Sequence, residues 1–230
     1  DYYRCPFQKT RETCSCECFS YAEKAFAEHA EECAAMIVEP LLQGSAGMRI
    51  YPELYLKKLR ALCDEHDVLL IADEIATGFG RTGRLFATER AGITPDIMCL
   101  SKGLTGGYMP MSITVVKEKI YDAFYADWSE GKAFMHSHTY AGNPLGCAAA
   151  LAVLDILDEE NVLEKAAETA LWLTARMEEV FGAHRNVGEI RHIGLIHAAE
   201  LVEDKREKRP FDASRRLGYA IYRRALKNGL

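Results

Sequence analysis

The sequence predicts an α/β fold, with a mainly parallel sheet and helices on both of its faces. Two short apolar runs, residues 68–72 and 96–100, lack the alternation of a half-exposed strand and suit strands that are covered on both sides. A third apolar run, residues 34–38, precedes an amphipathic helix predicted at residues 52–66, which leads into the run at 68–72. Strand, helix and strand at this spacing form a βαβ unit, whose crossover we expect to be right-handed.

The helix predicted at residues 52–66 has one apolar face. Leu56, Leu59 and Cys63 recur at helical spacing, so this face is expected to pack on the sheet. Arg60 lies mostly off the face together with two neighbouring lysines, and we expect these charges to be solvated.

The other elements follow from the same periodicities and from turn residues. Pro40 ends the strand at residues 34–38, because proline cannot continue a hydrogen-bonded ladder, and residues 43–47 predict a flexible turn. The further predicted helices are residues 21–32, 118–125, 143–158, 161–181 and 214–228. The further predicted strands are residues 112–116, 187–193 and 195–201, the last two hinged at Gly194.

The order of the predicted helices and strands changes near residue 158. A long amphipathic helix, two strands and a final helix follow, which indicates a separate α+β unit. We therefore predict that residues 1–158 are part of a large domain and residues 159–230 part of a smaller C-terminal domain. The chain opens on a polar, cysteine-rich piece and stops where another strand would follow, so we expect it to be the middle of a longer protein.

Composition excludes several classes of partner. The 230 residues carry a formal net charge of −6, so no basic surface argues for nucleic acid. No apolar run approaches the roughly 18 residues that span a bilayer, and no signal peptide is recognisable. We expect a cytoplasmic protein with neither a nucleic-acid nor a membrane partner.

The eight cysteines do not indicate disulfides or a metal. Without a secretory signal a disulfide framework is not expected, and Cys63, Cys99 and Cys147 lie in apolar patterns that predict small core residues. The C-x-C-x-C run at residues 14–18 differs from the paired C-x2–4-C spacing of zinc sites. We expect these thiols to be incidental residues of a loop or helix start.

Two polar residues follow the central apolar runs. Asp73 comes directly after residues 68–72, and Lys102 follows residues 96–100. Ligands of parallel α/β sheets sit just past the carboxyl ends of the strands, so both side chains are expected at one site. A lysine amine and a carboxylate fit pyridoxal phosphate chemistry, in which the lysine forms a Schiff base and the carboxylate pairs with the protonated pyridine nitrogen.

The motifs around these residues also carry a family resemblance. Residues 73–83, DEIATGFGRTG, and residues 101–107, SKGLTGG, resemble the class III aminotransferases of fold type I, in which the aspartate and the lysine have a similar separation. The resemblance extends from about Ala34 to Leu230. It implies the fold type I architecture of pyridoxal-phosphate-dependent transferases and pyridoxal 5'-phosphate as cofactor.

The resemblance implies specific roles around the cofactor ring. Lys102 would be the catalytic Schiff-base lysine, which also meets the substrate, and Asp73 the catalytic carboxylate at the pyridine nitrogen. Ile75 would pack on the ring face, although it also suits a plain core position. Glu39 either lines the cofactor's surroundings or braces a loop, and the sequence leaves both roles open.

Residues before the helix at 143–158 form a third part of the predicted site. By resemblance, Thr139 binds the cofactor phosphate of the partner subunit, which implies a homodimer with a shared phosphate site. The family usually has Gly-Pro before this threonine, where this chain has Ser137 and His138. His138 is still expected at the cofactor and Ser137 at the substrate. With His136 and His138 but no third ligand at a suitable spacing, no metal is expected.

Three glycines, Gly78, Gly80 and Gly83, have the G-x-G-x-x-G spacing of dinucleotide sites. Alone this is a weak signal, and the following strand ends in Lys102 rather than in an acidic residue. We expect a tight loop at the subunit interface, with Arg81 as a candidate interface residue.

Within the family, the motifs are most similar to enzymes of biotin synthesis. This implies amino transfer to 8-amino-7-oxononanoate, giving 7,8-diaminononanoate, with S-adenosylmethionine or lysine as the donor; residues 108–110 leave the donor open. One alternative is another ω-aminotransferase, acting on ornithine, 4-aminobutyrate or a diamine. Such relatives often have glutamine at the position of Ala76, so this residue is mild evidence against the alternative. The other alternative is a non-catalytic fragment that retains the fold.

Overall fold

A computed structural model describes residues 2–230, so only Asp1 of the predicted N-terminal piece lies outside the described residues. The strands are β1 Ala35–Val38, β2 Leu42–Gln43, β3 Arg49–Ile50, β4 Leu69–Asp73, β5 Ile97–Leu100, β6 Ile113–Val116, β7 Val187–Ile193, β8 Ile196–Asp204 and β9 Arg209–Pro210. The α-helices are α1 Ser20–His29, α2 Glu53–Glu65, α3 Ala87–Ala91, α4 Glu118–Asp122, α5 Pro144–Glu159, α6 Val162–Phe181 and α7 Leu217–Lys227.

The central sheet has the order β1-β4-β5-β6. β1, β4 and β5 are parallel, whereas β6 runs antiparallel to β5. The mainly parallel sheet of the predicted α/β fold is therefore confirmed. The connection from β5 to β6, residues 101–112, contains a short 3-10 helix but no α-helix, whereas a parallel return usually crosses the sheet through an α-helix.

Helix α2 covers one face of this sheet. Leu56, Leu59 and Cys63 are fully buried, as predicted, and pack in one cluster with Leu70 of β4. The opposite face is more open among the described residues, since Ile37 of β1 is 60% exposed. The strands alternate in burial more than their continuous apolar runs predicted.

The expectation that Arg60 is solvated is wrong. Its side chain is only 11% exposed, and Nη1 lies 2.7 Å from a carboxylate oxygen of Asp96, which directly precedes β5. The guanidinium lies at the edge of the apolar face of α2, where its stem can pack while its head binds a buried acid.

The second sheet has the order β7-β8-β9 and is antiparallel. Ile193 and Ile196 of its first hairpin pack with the core around α2. The N-terminal piece also contacts this sheet, because the Tyr3 hydroxyl donates to the Lys205 carbonyl at 3.2 Å. The regions predicted as two domains thus share packed contacts, and the boundary at residue 158 stays a prediction.

Two local features differ from the expectations. The turn predicted at residues 43–47 joins β2 and β3, whose residues pair as a small antiparallel hairpin. A short 3-10 helix, Lys102–Thr105, follows β5 directly. Both are too short for a periodic pattern to reveal.

Candidate active site

The ends of β4 and β5 place the first two predicted site residues at the same edge of the sheet. Asp73 lies opposite Cys99 in the parallel register, and the Glu74 N–H donates to the Cys99 carbonyl at 3.0 Å. Lys102 follows Cys99 by three residues, at the start of the 3-10 turn. This is the carboxyl edge, where parallel sheets bind ligands.

Asp73 is half-buried and has one hydrogen-bond donor among the described residues. The Ile75 N–H donates to its Oδ1 at 3.0 Å, which fixes the carboxylate at the strand end. The side chain lines a cavity of about 520 Å³, together with Val38, Tyr51 and Tyr55. Its second oxygen is therefore available to a ligand in a largely apolar cavity.

Thiols of the N-terminal piece line the same cavity. Cys5, Cys14 and Cys18 are half-buried at its wall, whereas Cys16 is buried. Burial first, and then the neighbouring Cys14 thiol, raises the pKa of Cys16 to about 11. Within residues 2–230, no group of three or more His, Cys, Asp or Glu side chains is arranged to hold a metal ion.

Glu39 stands at the rim of this cavity. Its Oε2 accepts from the Gly44 N–H at 2.9 Å, and its carbonyl accepts from the Tyr51 hydroxyl at 2.6 Å. These contacts brace the β2–β3 hairpin, and the side chain also lines the cavity with Asp73. Both roles considered for Glu39 remain open.

Lys102 is exposed and has a left-handed backbone conformation, with φ of 39°. No hydrogen bond or ion pair engages its amine among the described residues. Two side-chain hydrogen bonds hold this turn against the chain that follows it. The Ser101 hydroxyl donates to the Met111 carbonyl at 2.7 Å, and the Thr105 hydroxyl donates to the Met109 carbonyl at 2.6 Å. The amine is thus free on a constrained backbone.

Ser137, His138 and Thr139 lie in exposed, irregular chain that leads into α5. The Tyr140 N–H donates to His138 Nδ1 at 3.2 Å. Helix α5 then begins at Pro144, where the Asn143 side chain accepts from the Leu145 N–H at 3.0 Å.

The structure brings only some of the predicted residues together. His138 lines a second cavity, of about 740 Å³, whose wall includes Ser101 next to Lys102. Asp73 lines the first cavity instead. Ile75 is half-buried beside Asp73, and Ser137 and Thr139 flank His138 without contacts that assign them a role. The assignment of these residues to one cofactor stays a prediction.

Arg81 is exposed, and its backbone carbonyl accepts from the Leu195 N–H at 2.9 Å. At Gly194, between β7 and β8, an added Cβ would lie 2.4 Å from that carbonyl oxygen. The glycine loop therefore packs tightly against the second sheet, and its predicted role at a subunit interface stays a prediction.

Sequence reasoning missed Glu74, which is fully buried. Its carboxylate accepts from the Thr77 hydroxyl at 2.5 Å and from the Thr88 N–H at 2.8 Å, so it ties the glycine loop to the start of α3. The available signal was an acid directly after a buried strand with a threonine three residues on, a spacing that suits a local hydrogen bond.

Comparisons with known proteins define the class of this chain. The Aminotransferase class-III family matches residues 2–230. The chain therefore belongs to the class-III aminotransferase family.

Its curated relatives include enzymes named adenosylmethionine-8-amino-7-oxononanoate aminotransferase. The one from Geobacter sulfurreducens is 46% identical over 99% of this chain and 50% of its own length. The one from Methanocaldococcus jannaschii is 38% identical over 99% of this chain and 52% of its own length. The chain thus spans about half the length of the curated relatives it matches.

Solved structures agree with this placement. The crystal structure of the Methanocaldococcus jannaschii enzyme has a TM-score of 0.88 at 38% identity and covers 93% of this chain and 50% of that one. An amine transaminase from an uncultivated Pseudomonas species, in its PLP-bound form, has a TM-score of 0.84 at 39% identity, over 93% of this chain and 48% of that one. The predicted fold type I architecture is confirmed.

Proposed function

We propose that the protein is a pyridoxal-phosphate-dependent aminotransferase that converts 8-amino-7-oxononanoate to 7,8-diaminononanoate in biotin synthesis. The observation that carries this proposal is the pair of neighbouring strand ends, where a carboxylate oxygen and an amine lack protein partners among the described residues. The names of the similar curated enzymes supply the acceptor substrate.

The residues present fit the cofactor. Asp73 offers a carboxylate in a largely apolar cavity, where an ionised acid favours a protonated pyridine nitrogen. Lys102 offers an amine that forms no competing ion pair among the described residues. Ile75 and His138 would contact the ring, and Thr139 would bind the phosphate across a homodimer interface.

Pyridoxal phosphate, when bound, supplies an electron sink for the bond that breaks next to the amino group. The protein's own residues transfer protons and orient the bound groups. Lys102 Nζ accepts the proton from the carbon that carries the amino group and later returns one. Asp73 would pair with the pyridine nitrogen and favour its protonated form. Ser137 would orient the substrate beside Lys102.

We also propose finer features. The amino donor is S-adenosylmethionine or lysine, the protein is a cytoplasmic homodimer, and residues 1–158 and 159–230 belong to its large and small domains. Large side chains exposed after β5, among them Tyr108, Trp128 and Met135, support burial of this surface by a partner copy. No helix among the described residues has the length and apolar character to cross a membrane.

A second candidate is another ω-aminotransferase, because a similar solved structure is an amine transaminase. The acceptor distinguishes the two. With the protein expressed from its complete reading frame, S-adenosylmethionine and lysine are each offered as donor, and 8-amino-7-oxononanoate is compared with acceptors for ornithine, 4-aminobutyrate and diamine enzymes. We expect turnover only with 8-amino-7-oxononanoate.

Cofactor attachment tests the proposal directly. The wild-type protein is expected to take up pyridoxal phosphate with a visible absorbance band, and borohydride reduction should leave the cofactor on the peptide that contains Lys102. Lys102→Ala should abolish both signals, whereas Lys132→Ala, at an exposed lysine paired with Glu130, should keep both. Absence of a Lys102-dependent band would favour the non-catalytic alternative.

A further inference from the structure

The loop between β4 and α3 contacts the turn that carries Lys102. Phe79 is the contact residue, and it is half-buried between two glycines of the loop. Its ring packs edge-to-face on Phe86, with the ring centroids 5.8 Å apart. Its backbone has φ of 57°, an uncommon conformation for a bulky residue, so its position is fixed by surrounding contacts rather than by its own preference.

Phe79 lies directly on the backbone of Gly103. A Cβ atom added at Gly103 would lie 2.6 Å from the Phe79 Cβ and 3.0 Å from two of its ring carbons. Only glycine fits this position, because both atoms at the closest approach would belong to the stiff parts of the two residues. Gly103, the residue next to Lys102, is therefore in close contact with the Phe79 side chain.

Lys102 itself needs such support. A non-glycine residue at φ of 39° is strained, and strain of this kind persists only when the surrounding structure over-determines it. Helix α5 contacts the turn, since a Cβ at Gly106 would lie 3.4 Å from Val153. Phe79 contacts the turn at Gly103. The turn is therefore held by a helix and by an aromatic side chain.

The loop that carries Phe79 is anchored at its base. Buried Glu74 binds the Thr77 hydroxyl and the Thr88 N–H, which fixes the loop at a point before Phe79 and a point after it. Glu74 directly follows Asp73, and its own N–H pairs with β5. One loop therefore connects the strand end that bears Asp73 to the turn that bears Lys102.

We propose that Phe79 is a positioning residue, which holds the Lys102 turn in its left-handed conformation by packing on Gly103. Its effect on cofactor binding rests on the proposed function, whereas its effect on the turn does not. Phe79 does not touch the reacting atoms in this proposal. It fixes the backbone from which the Lys102 amine projects, and an amine projected differently would bind the cofactor less tightly.

The first experiment compares Phe79→Leu with Phe86→Leu in the protein expressed from its complete reading frame. Phe86 is the matched control, because it is also half-buried and packs on Phe79, whereas the atoms nearest to a Cβ at Gly103 all belong to Phe79. Deuterium exchange of the peptide covering residues 101–106 reports on the turn without cofactor. The dissociation constant of pyridoxal phosphate reports on Lys102, and thermal unfolding shows whether both variants are folded.

We expect Phe79→Leu to speed exchange at residues 101–106 and to weaken cofactor binding by about tenfold. This factor corresponds to the free energy of one strained backbone conformation, which the turn would have to regain when the cofactor binds. Phe86→Leu should lower the melting temperature similarly. It should change the exchange rate and the dissociation constant less, within about threefold of wild type, because Phe79 and its contact with Gly103 are retained. Phe79→Tyr, which keeps the Cβ and the ring, should restore tight binding. Unchanged exchange and binding in Phe79→Leu would overturn the proposal and leave the proposed function intact.

A second variant pair tests the contact itself. Gly103→Ala alone should speed exchange at residues 101–106, because its methyl group collides with Phe79. In a Phe79→Gly background the same substitution should have a much smaller effect, which is the coupling expected of touching residues. Equal effects in both backgrounds would overturn the proposal.

If wild type bound no cofactor at Lys102, the proposed function would fail, and the exchange results would still support or overturn the role of Phe79.

Discussion

Two aspartates on neighbouring strands of the central sheet have opposite surroundings. Asp96, directly before β5, is 3% exposed, and its carboxylate accepts from Arg60 at 2.7 Å, from Lys117 at 2.9 Å and from the Leu70 N–H at 2.9 Å. Asp73, at the end of β4, is half-buried and accepts only from the Ile75 N–H among the described residues.

The difference separates a structural acid from one that can bind a ligand. Asp96 lies at the amino edge of β5, where its contacts tie α2, β4 and the segment after β6 together. Asp73 lies at the carboxyl edge and keeps a carboxylate oxygen for another partner. A buried charge is tolerated when it is paired and hydrogen-bonded. A half-buried acid that lines a cavity and accepts only one hydrogen bond is instead a candidate ligand-binding group.

The largest expected effect is on stability at Asp96. Asp96→Ala leaves Arg60 and Lys117 without their shared carboxylate, and loss of one partner from a buried ion pair costs about 3–5 kcal/mol of unfolding free energy. Urea denaturation measures this loss. Asp64→Ala is the matched control, because Asp64 binds the same Arg60 at 2.6 Å but is 65% exposed; it should cost below about 1 kcal/mol. Similar losses in both variants would contradict the structural role of Asp96.

The contribution of Asp96 should also depend on pH. Burial disfavours its ionisation and is the largest single influence, but hydrogen bonds from the Leu70 N–H, Lys117 and Arg60 outweigh burial and hold the pKa of Asp96 well below its usual range. In the unfolded chain the pKa is about 3.9. The stabilisation is therefore complete above about pH 5 and is lost as the pH falls below 4 toward the folded-state value.

This dependence can be measured with Asp96→Asn, which keeps the size of the side chain. The difference in unfolding free energy between wild type and Asp96→Asn should be constant from pH 7 to about 5 and should shrink as the pH approaches 3. A difference that stays constant down to pH 3 would show that Asp96 titrates alike in both states.

The sequence alone predicts the role of one of these two acids but not that of the other. Asp73 could be predicted, because a polar residue after a buried apolar run is a local signal. The partners of Asp96 could not, because Arg60 and Lys117 are 36 and 21 residues away along the chain. For the same reason the sequence predicts a solvated Arg60, since its helix position alone places it off the apolar face.

The fold was predictable where it depends on periodicity and unpredictable where it depends on long-range contact. The βαβ unit and the long helices are repeated local patterns, and their bounds agree with the structure to within about three residues. The contact of Tyr3 with Lys205 and that of Phe79 with Gly103 join segments with no shared pattern. The motifs identified Lys102, and the geometry then showed what surrounds its turn.

Asp73→Ala should have a smaller effect on stability than Asp96→Ala. It removes one hydrogen bond to the Ile75 N–H, for which the net cost is about 1 kcal/mol. Its effect on ligand binding should be larger: the dissociation constant of pyridoxal phosphate is expected to rise about tenfold or more, because a charge-assisted contact is lost. Urea denaturation and cofactor titration measure the two effects. A loss of stability as large as that of Asp96→Ala would place Asp73 among the structural acids.

The smallest expected effects concern the two lysines near Asp96. Lys117 Nζ lies 2.9 Å from the carboxylate with 40% of its side chain exposed, whereas Lys119 Nζ lies at 3.7 Å with 60% exposed. Lys117→Ala should cost about 1 kcal/mol, because it removes a hydrogen bond to a buried carboxylate, but from a lysine that is itself 40% exposed and therefore partly screened by solvent. Lys119→Ala should stay within about 0.5 kcal/mol of wild type, since exposed ion pairs contribute little. Both values come from urea denaturation at low and high salt, where only the small Lys119 contribution should vanish at high salt. Equal losses from the two variants would mean that charge near Asp96, rather than direct hydrogen bonding, stabilises this end of the sheet.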